Sequence, residues 1–287
     1  MTLLNILILA LVQGAAELLP VSSSAHVIIA ERLMGLDPTS PEMTLLLVML
    51  HTGTMFAVII FFWKSWKDSF FSSRRTFWVS VKLIMGATLV TGVIGLLLKS
   101  LIERFILGNV PHAEIELLFG NLTLISAALA AVGVLIIFAG WKSRLSPSGN
   151  GPLDINGALW IGAVQGLCLP FRGFSRSGAT ISTGLLLGIA KAKVEEFSFA
   201  LAVVLTPPII IREVLRLLKA QHASVQDMTS VAGLFYPSLL GMALSFISGM
   251  LALRWLSNWL ERGRWHLFGI YCLCASVAVF LLHKNGL

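Results

Sequence analysis

The chain has 287 residues, of which 56% are hydrophobic and only 12% are charged. Soluble domains carry roughly 25% charged residues, so this composition excludes a soluble globular protein. It predicts a membrane protein with room for about six spans of roughly 20 residues each. The net charge of +7 comes without any nucleic-acid-binding motif, because the basic residues cluster at the ends of apolar runs. Basic residues in that position set orientation and meet anionic lipid, so we expect membrane lipids as partners and no nucleic acid.

The first predicted element is a broken apolar region at residues 1–34, within a hairpin assigned to residues 1–40. Its two apolar runs of about 10–14 residues are too short to cross a bilayer. Pro20 and the serines after it separate the two runs. This pattern is typical of a re-entrant helix–loop–helix hairpin, whose backbone must be surrounded by protein or water. Residues 157–190 show the same pattern around Pro170 and predict a second such hairpin.

Six longer apolar runs are predicted to span the membrane. They cover residues 44–63, 78–98, 117–140, 196–218, 233–256 and 265–283. The pair Pro207-Pro208 is predicted to break and kink the fourth span, because proline cannot donate a helical hydrogen bond. The predicted fold class is therefore an all-α integral membrane protein, with six transmembrane helices and two re-entrant hairpins in one membrane domain, 1–287.

Basic residues predict the orientation of these spans. Six spans place 11 of the 21 Lys and Arg residues on one side and 7 on the other. The richer side is expected to be cytoplasmic, so both termini are expected outside. The first hairpin then enters from the outside and the second from the cytoplasm.

The two hairpin regions also resemble each other in sequence. Val12-Gln13-Gly14 recurs as Val164-Gln165-Gly166, and a proline and a serine cluster follow each time. The similarity predicts two repeats of inverted topology, residues 1–140 and 157–287, each a hairpin plus three spans. In folds of this kind the functional site lies at the repeat interface near the membrane midplane.

Ionisable residues inside a membrane are costly and usually functional, and Glu17, His26 and Arg176 are the clearest examples here. Gln13 lies four residues before Glu17, so the two share one helix face. The other polar residues of the two loops are Ser22, Ser23, Ser24, Ser175, Ser177 and Thr180. His51, in the middle of a predicted span, is interpreted as a core histidine.

The second loop has the features of an anion cradle. Gly173 and Gly178 bracket it and allow its amides to turn toward an anion. Arg176 offers a planar fork of donors suited to phosphate. The next helix is predicted to start near Ser177, with its N-terminus directed at the same anion. A cradle, a candidate nucleophile, a base and an acid are the parts of a phosphoryl-transfer site, and their position in the membrane predicts a lipid substrate.

The run Gln13-Gly14-x-x-Glu17-x-x-Pro20-Val21-Ser22-Ser23-Ser24-x-His26, with Gly173-Phe174-Ser175-Arg176-Ser177-Gly178-Ala179-Thr180, resembles the two signatures of the undecaprenyl-diphosphate phosphatases, the BacA or UppP family. The resemblance covers the whole chain. It implies hydrolysis of undecaprenyl diphosphate to undecaprenyl phosphate and inorganic phosphate, which recycles the lipid carrier for cell-wall synthesis and confers bacitracin resistance. It also implies a site in the bacterial cytoplasmic membrane that opens toward the periplasm, and a divalent cation, Mg²⁺ or Ca²⁺.

The same resemblance implies residue roles. Ser23 matches the serine proposed as nucleophile, His26 the essential histidine and Arg176 the phosphate-binding arginine, while Glu17 and Gln13 match the pair expected at the metal. The implied substrate-binding residues are Gln13, Ser22, Ser24, Gly173, Ser175, Ser177, Gly178 and Thr180. Two mechanisms stay open, because either Ser23 attacks phosphorus with His26 as base, or His26 itself attacks.

The chain departs from the family pattern at four positions. Ala16, Leu18, Ala25 and Arg172 stand where threonine, phenylalanine, glycine and proline are usual. These departures leave the rate, the metal preference and the polyprenyl selectivity open, but they remove no proposed catalytic residue.

Three other functions share features with this sequence. A lipid or anion transporter or flippase would use the same inverted repeat and the same anion cradle. A type-2 phosphatidic-acid phosphatase shares serine–histidine and serine–arginine motifs, but its lysine–arginine–proline motif and the histidine after its serine–arginine motif are missing here. A purely structural membrane protein would not need Glu17 and Arg176 at this depth. The sequence leaves the oligomeric state open, a homodimer included.

Overall fold

The structure is a computed structural model that describes residues 2–37, 40–105, 118–145, 151–223 and 228–286. The described residues form ten helices: α1 (Leu3–Leu18), α2 (Ser23–Leu33), α3 (Pro41–Phe70), α4 (Arg74–Phe105), α5 (Leu122–Leu145), α6 (Ile155–Cys168), α7 (Arg176–Leu186), α8 (Lys191–Ala223), α9 (Met228–Glu261) and α10 (His266–Lys284). An isolated bridge joins Gly151 to Ile189.

Five of the helices are long and apolar enough to cross a membrane. These segments are Met43–Phe70, Arg74–Phe105, Leu122–Arg144, Tyr236–Glu261 and His266–Lys284. They correspond to five of the six predicted spans, and the protein is an all-helical membrane protein. The predicted start of the third span, residue 117, lies outside the described residues. The remaining predicted span, 196–218, falls within α8, which is not among these five segments.

Helix α8 continues through Pro207 and Pro208, so the predicted break at this pair is wrong. Each proline removes one backbone hydrogen bond from the helix. Helices in membrane proteins tolerate this loss where neighbouring helices enclose the freed groups, and α8 packs against α3, α4, α7 and α9. Packing along the helix therefore outweighs the local preference of the proline pair.

The first helix of each short pair ends at a Leu–Pro pair. Both α1, with 16 residues, and α6, with 14, stop just before it, at Leu19-Pro20 and Leu169-Pro170. The residue before a proline is disfavoured in helical conformation. Leu19 is accordingly extended, whereas Leu169 keeps helical backbone angles. The second helices, α2 and α7, have 11 residues each. They are followed by Gly35 and Gly188, whose positive φ angles of 64° and 76° terminate helices readily.

The first helix of each pair packs against a long helix from the other half of the chain. Helix α1 packs on α9, and α6 packs on α4. The α6–α4 contact is close because of Gly162, where a Cβ would lie only 2.4 Å from the Ala87 carbonyl oxygen. Small residues allow this backbone approach between helices in membranes.

A side-chain hydroxyl reinforces the α1–α9 contact, and another reinforces the α6–α4 contact. Ser248 of α9 donates to the Leu11 carbonyl of α1 over 3.1 Å, and Thr91 of α4 donates to the Gly162 carbonyl of α6 over 2.8 Å. Helices α5 and α10 also pack on each other, as do α3 and α8. These contacts enclose the two loops that carry the predicted site.

Candidate active site

The loop after α1 and the loop after α6 meet inside the protein. The Ser177 hydroxyl donates to the Leu19 carbonyl over 3.3 Å, and the Gly173 amide donates to the Ser24 hydroxyl over 3.5 Å. Gly173 has a φ of 99°, and a Cβ there would lie 2.5 Å from the Ile125 carbonyl oxygen of α5. Only glycine fits that position without displacing the loop. The two hairpin tips therefore contact each other, as the sequence predicted.

The Glu17 carboxylate is the centre of the polar contacts. Its Oε2 accepts hydrogen bonds from Ser23 Oγ at 2.5 Å and from Gln13 Nε2 at 3.3 Å. Its Oε1 accepts one from Arg176 Nη2 at 3.3 Å, and the Glu17 and Arg176 side chains are each about one-fifth exposed. The Nε2 of His51 lies 4.0 Å from Oε2. Four side chains from α1, α2, α3 and α7 thus surround one acid.

Two helices begin at residues that bond to Glu17. Helix α7 begins at Arg176, with Ser175 as its cap accepting the Gly178 amide over 3.2 Å, and α2 begins at Ser23. Helix N-termini attract negative charge. The second guanidinium nitrogen of Arg176, Nη1, is buried and has no hydrogen-bond partner within the described part of the chain. A buried unpaired donor is costly, and a phosphoryl oxygen is a suitable acceptor for it.

His26 is held away from Ser23. Its Nδ1 lies 2.7 Å from the Ser22 carbonyl oxygen, and its Nε2 lies 2.7 Å from the Tyr271 hydroxyl of α10. Ser22 has a φ of 68°, the one positive φ of a non-glycine residue among the described residues. Such conformations are strained and cluster at functional sites. The serine hydroxyl at position 23 therefore has Glu17, and not His26, as its acceptor.

Several predicted substrate-binding residues bond to other parts of the protein around the site. Thr180 donates to the Arg176 carbonyl over 2.8 Å and lies 2.6 Å from the Ser198 hydroxyl. Ser175 and Ser177 are buried. Ser22 and Ser24 share a hydrogen bond of 3.2 Å within the first loop. These contacts fix the start of α7 and the first loop around Glu17 and Arg176.

Two residues of the site were missed in the sequence. His51 was interpreted as a core histidine, but its Nδ1 donates to the Leu47 carbonyl over 2.8 Å and its other nitrogen faces Glu17. Its position inside an apolar run was a usable signal, since ionisable groups there are usually functional. Tyr271 lies in no motif. The sequence distinguishes it only because the chain has just two tyrosines.

Four residues near the site depart from the family pattern, and three of them are apolar. Ala16, Leu18 and Ala25 are buried in hydrophobic clusters. Arg172 is exposed, and its guanidinium lies 4.5 Å from the centre of the Phe119 ring. The cation added to the second loop is therefore engaged with an aromatic face.

A small cleft opens beside Glu17 and Arg176. Its other lining residues, from α1, α3 and α8, are Leu18, Thr54, Met55, Val58, Ala202, Val203 and Thr206. Both threonine hydroxyls donate to carbonyls of their own helices. The cleft therefore has a charged end and a largely apolar wall between α3 and α8.

The oxygen donors of the site suit a hard divalent cation. Glu17 offers a carboxylate and Gln13 an amide oxygen, which are ligand types that Mg²⁺ and Ca²⁺ prefer. Within the part of the chain that the structure describes, no group of three or more His, Cys, Asp or Glu could enclose a metal ion. Mg²⁺ commonly binds through one or two protein ligands together with substrate phosphates. The residues thus fit a cation held jointly with a phosphate substrate.

The chain resembles known proteins along nearly its whole length. Residues 6–278 match the family model described as bacitracin resistance protein BacA. The chain is 59% identical to undecaprenyl-diphosphatase 2 of Acinetobacter baylyi, over 98% of each protein. It is 34% identical to undecaprenyl-diphosphatase 2 of Burkholderia ambifaria, over 99% of each, and 32% identical to the undecaprenyl-diphosphatase of Rhodopirellula baltica, over 98% of each.

Proposed function

The chain belongs to the family of the bacitracin resistance protein BacA and is an undecaprenyl-diphosphatase, and we propose that it acts through the site at the two hairpin tips. Its reaction releases inorganic phosphate and returns undecaprenyl phosphate, the lipid carrier of cell-wall synthesis. One observation carries the assignment of the site. Arg176 and Ser23, from different hairpins, both bond to Glu17, so a phosphate binder and a nucleophile share one acid.

The shape of the cleft supports a binding mode for the lipid. The terminal phosphate binds at Arg176, where Nη1 is buried without a protein partner among the described residues and the N-terminus of α7 adds positive potential. The polyprenyl tail follows the apolar wall between α3 and α8, where Met55 and Val203 line the cleft. This arrangement separates the charged head from the apolar tail as the two chemistries require.

The hydrogen bond between Ser23 and Glu17 supports serine as the nucleophile. Glu17 takes the hydroxyl proton while Ser23 Oγ forms a bond to the terminal phosphorus. The bond from that phosphorus to the bridging oxygen breaks, and undecaprenyl phosphate leaves. His26 then assists a water molecule that hydrolyses the phosphoserine and frees inorganic phosphate. An acid or base beside each reacting oxygen is the arrangement that such transfers need.

A divalent cation fits this scheme as an auxiliary charge. Glu17 and Gln13 would hold it together with oxygens of the diphosphate. When bound, a cation of this kind neutralises charge on phosphoryl oxygens and orients the leaving group.

Purified protein in detergent is expected to release inorganic phosphate from undecaprenyl diphosphate with Mg²⁺ present. Chelation should stop the release, and added Mg²⁺ should restore it, because the cation offsets charge on the substrate. Phosphate is measured colorimetrically, and undecaprenyl phosphate serves as the control substrate that yields none. A folded preparation that releases no phosphate with or without metal would contradict the proposal.

The internal symmetry of the helices supports two inverted repeats, residues 1–140 and 157–287. Helices α1 to α5 correspond to α6 to α10 in order, with α2 and α7 equal in length. Under this correspondence the contact of α1 with α9 is the counterpart of that of α6 with α4, while α5–α10 and α3–α8 pair equivalent helices. Helix α8 then serves as the sixth span, and the site lies at the repeat interface.

The same topology places both termini and the opening of the site on the periplasmic side of the cytoplasmic membrane. The excess of 11 over 7 basic residues on the opposite side supports it. Alkaline phosphatase fused to the C-terminus is expected to be active, since that enzyme folds only outside the cytoplasm, and a green fluorescent protein at the same point is expected to be dark. The reverse pair of results would invert the topology.

A further inference from the structure

Two contacts determine which nitrogen of His26 carries the proton. The Ser22 carbonyl oxygen, 2.7 Å from Nδ1, can only accept a hydrogen bond, so Nδ1 carries a proton. In the neutral imidazole Nε2 then has the lone pair. The Tyr271 hydroxyl, 2.7 Å away, is therefore the donor to Nε2.

We propose that Tyr271 is a positioning residue, which together with the Ser22 carbonyl holds the His26 ring in one orientation and directs its Nε2 lone pair toward the substrate-binding side. This inference deepens the proposed function and rests on it for the role of His26. No motif of the sequence includes Tyr271, and it reaches the first hairpin from α10, in the opposite half of the chain.

The geometry restricts His26 in orientation as well as in proton position. The two rings are stacked, with their centres 5.6 Å apart and an angle of 15° between their planes. The strained backbone of Ser22, with its positive φ, presents the carbonyl that holds the opposite edge of the imidazole. The Ser22 carbonyl holds one edge of the imidazole, and the Tyr271 hydroxyl holds the other. The Tyr271 ring stacks on it as well, so His26 has one favoured orientation.

This arrangement gives the imidazole a defined task. The nitrogen that bonds to Ser22 is already engaged, so Nε2 is the atom that can accept a proton from water or substrate. The Tyr271 hydroxyl bonds to that atom in the resting protein, and Tyr271 as a residue is about half-exposed. A phosphoryl oxygen or a water can take over the hydroxyl's hydrogen bond without any movement of the main chain.

The test uses the whole protein with labelled histidine. Nuclear magnetic resonance of the imidazole carbons and nitrogens distinguishes the two tautomers, and the His26→Gln variant identifies which signals belong to His26. We expect the Nδ1–H tautomer in the native protein and also in Tyr271→Phe, because the Ser22 carbonyl is unchanged. The Nε2 signal of His26 should move in Tyr271→Phe, which keeps the ring but loses the donor. Tyr236→Phe is the matched control, because Tyr236 is largely exposed on α9, and it should leave the signals unchanged.

Activity gives the second readout. Tyr271→Phe is expected to lower kcat about tenfold with little change in KM, a part of the roughly 10²–10⁴-fold that a positioned acid–base group contributes. Tyr271→Leu, which also loses the stacked ring, should lower it further. An Nε2 signal of His26 that is unchanged in both variants, or a rise in KM with kcat unchanged, would overturn the inference. Native protein without phosphatase activity would instead contradict the proposed function, while the Nε2 signal still decides the positioning role.

Discussion

Replacing Arg176 with alanine is expected to lower kcat/KM for undecaprenyl diphosphate at least about 10³-fold, or about 4 kcal/mol of transition-state stabilisation. The guanidinium bonds to Glu17 through Nη2, and its buried Nη1 has no partner among the described residues. The substitution removes the donor fork for the terminal phosphate and leaves the Glu17 carboxylate without its cation. Steady-state phosphate release measures the loss, and thermal unfolding in detergent establishes that the variant is folded.

Two further variants distinguish the effect of the planar donor pair of Arg176 from the effect of its positive charge. Arg176→Lys keeps a cation but has no planar pair of donors, so we expect an intermediate loss. Arg172→Ala is the matched control, because this arginine is four residues away on the same loop and its guanidinium lies on the Phe119 ring. It should change kcat/KM by no more than a few fold. Equal losses in Arg172→Ala and Arg176→Ala would mean that the loop responds to total charge, and Arg176 would lose its assigned role.

Ser23→Ala is expected to reduce kcat at least about 10³-fold, because it removes the oxygen that attacks phosphorus. His26→Ala is expected to slow the second step instead, so that a phosphorylated enzyme accumulates. Substrate labelled in its terminal phosphate should therefore label His26→Ala protein and leave Ser23→Ala protein unlabelled. The label should survive acid, since phosphoserine is acid-stable and phosphohistidine is not.

Ser126→Ala is the control for removal of a buried hydroxyl. Ser126 bonds to Ser276 between α5 and α10 and makes no described contact with Glu17 or Arg176, so its activity should stay near the native value. An acid-labile label in the native protein, together with substantial activity in Ser23→Ala, would make His26 the nucleophile and reduce the Ser23–Glu17 hydrogen bond to a structural role.

The hairpins were predictable because their signals are local. A Leu–Pro pair ends a short apolar helix, and glycine ends the helix that follows. Glu17 and Arg176 were predictable for a similar reason, since a charge within an apolar run is rare enough to indicate function. The contact between the two loops was predicted from the sequence similarity of the two regions.

The features that the sequence did not reveal depend on contacts between distant helices. The sequence left His26 open as the base for Ser23 or as the nucleophile, and in the structure the turn at Ser22 directs the imidazole to Tyr271. His51 faces Glu17 only because α3 packs on α1. The proline pair of α8 was read as a break because its local preference was visible, whereas the surrounding helices that hold α8 continuous were not.

The contact between Glu17 and Arg176 joins residues 159 positions apart, and this separation has a consequence for biogenesis. When the ribosome has made only the first half of the chain, Glu17 already has Gln13, Ser23 and His51 as neighbours, but no arginine. The nascent half can therefore satisfy the acid's hydrogen bonds and cannot balance its charge. An incompletely synthesised enzyme would be inert toward the lipid carrier, and arrival of the second hairpin would both neutralise the partly buried acid and switch on the hydrolase.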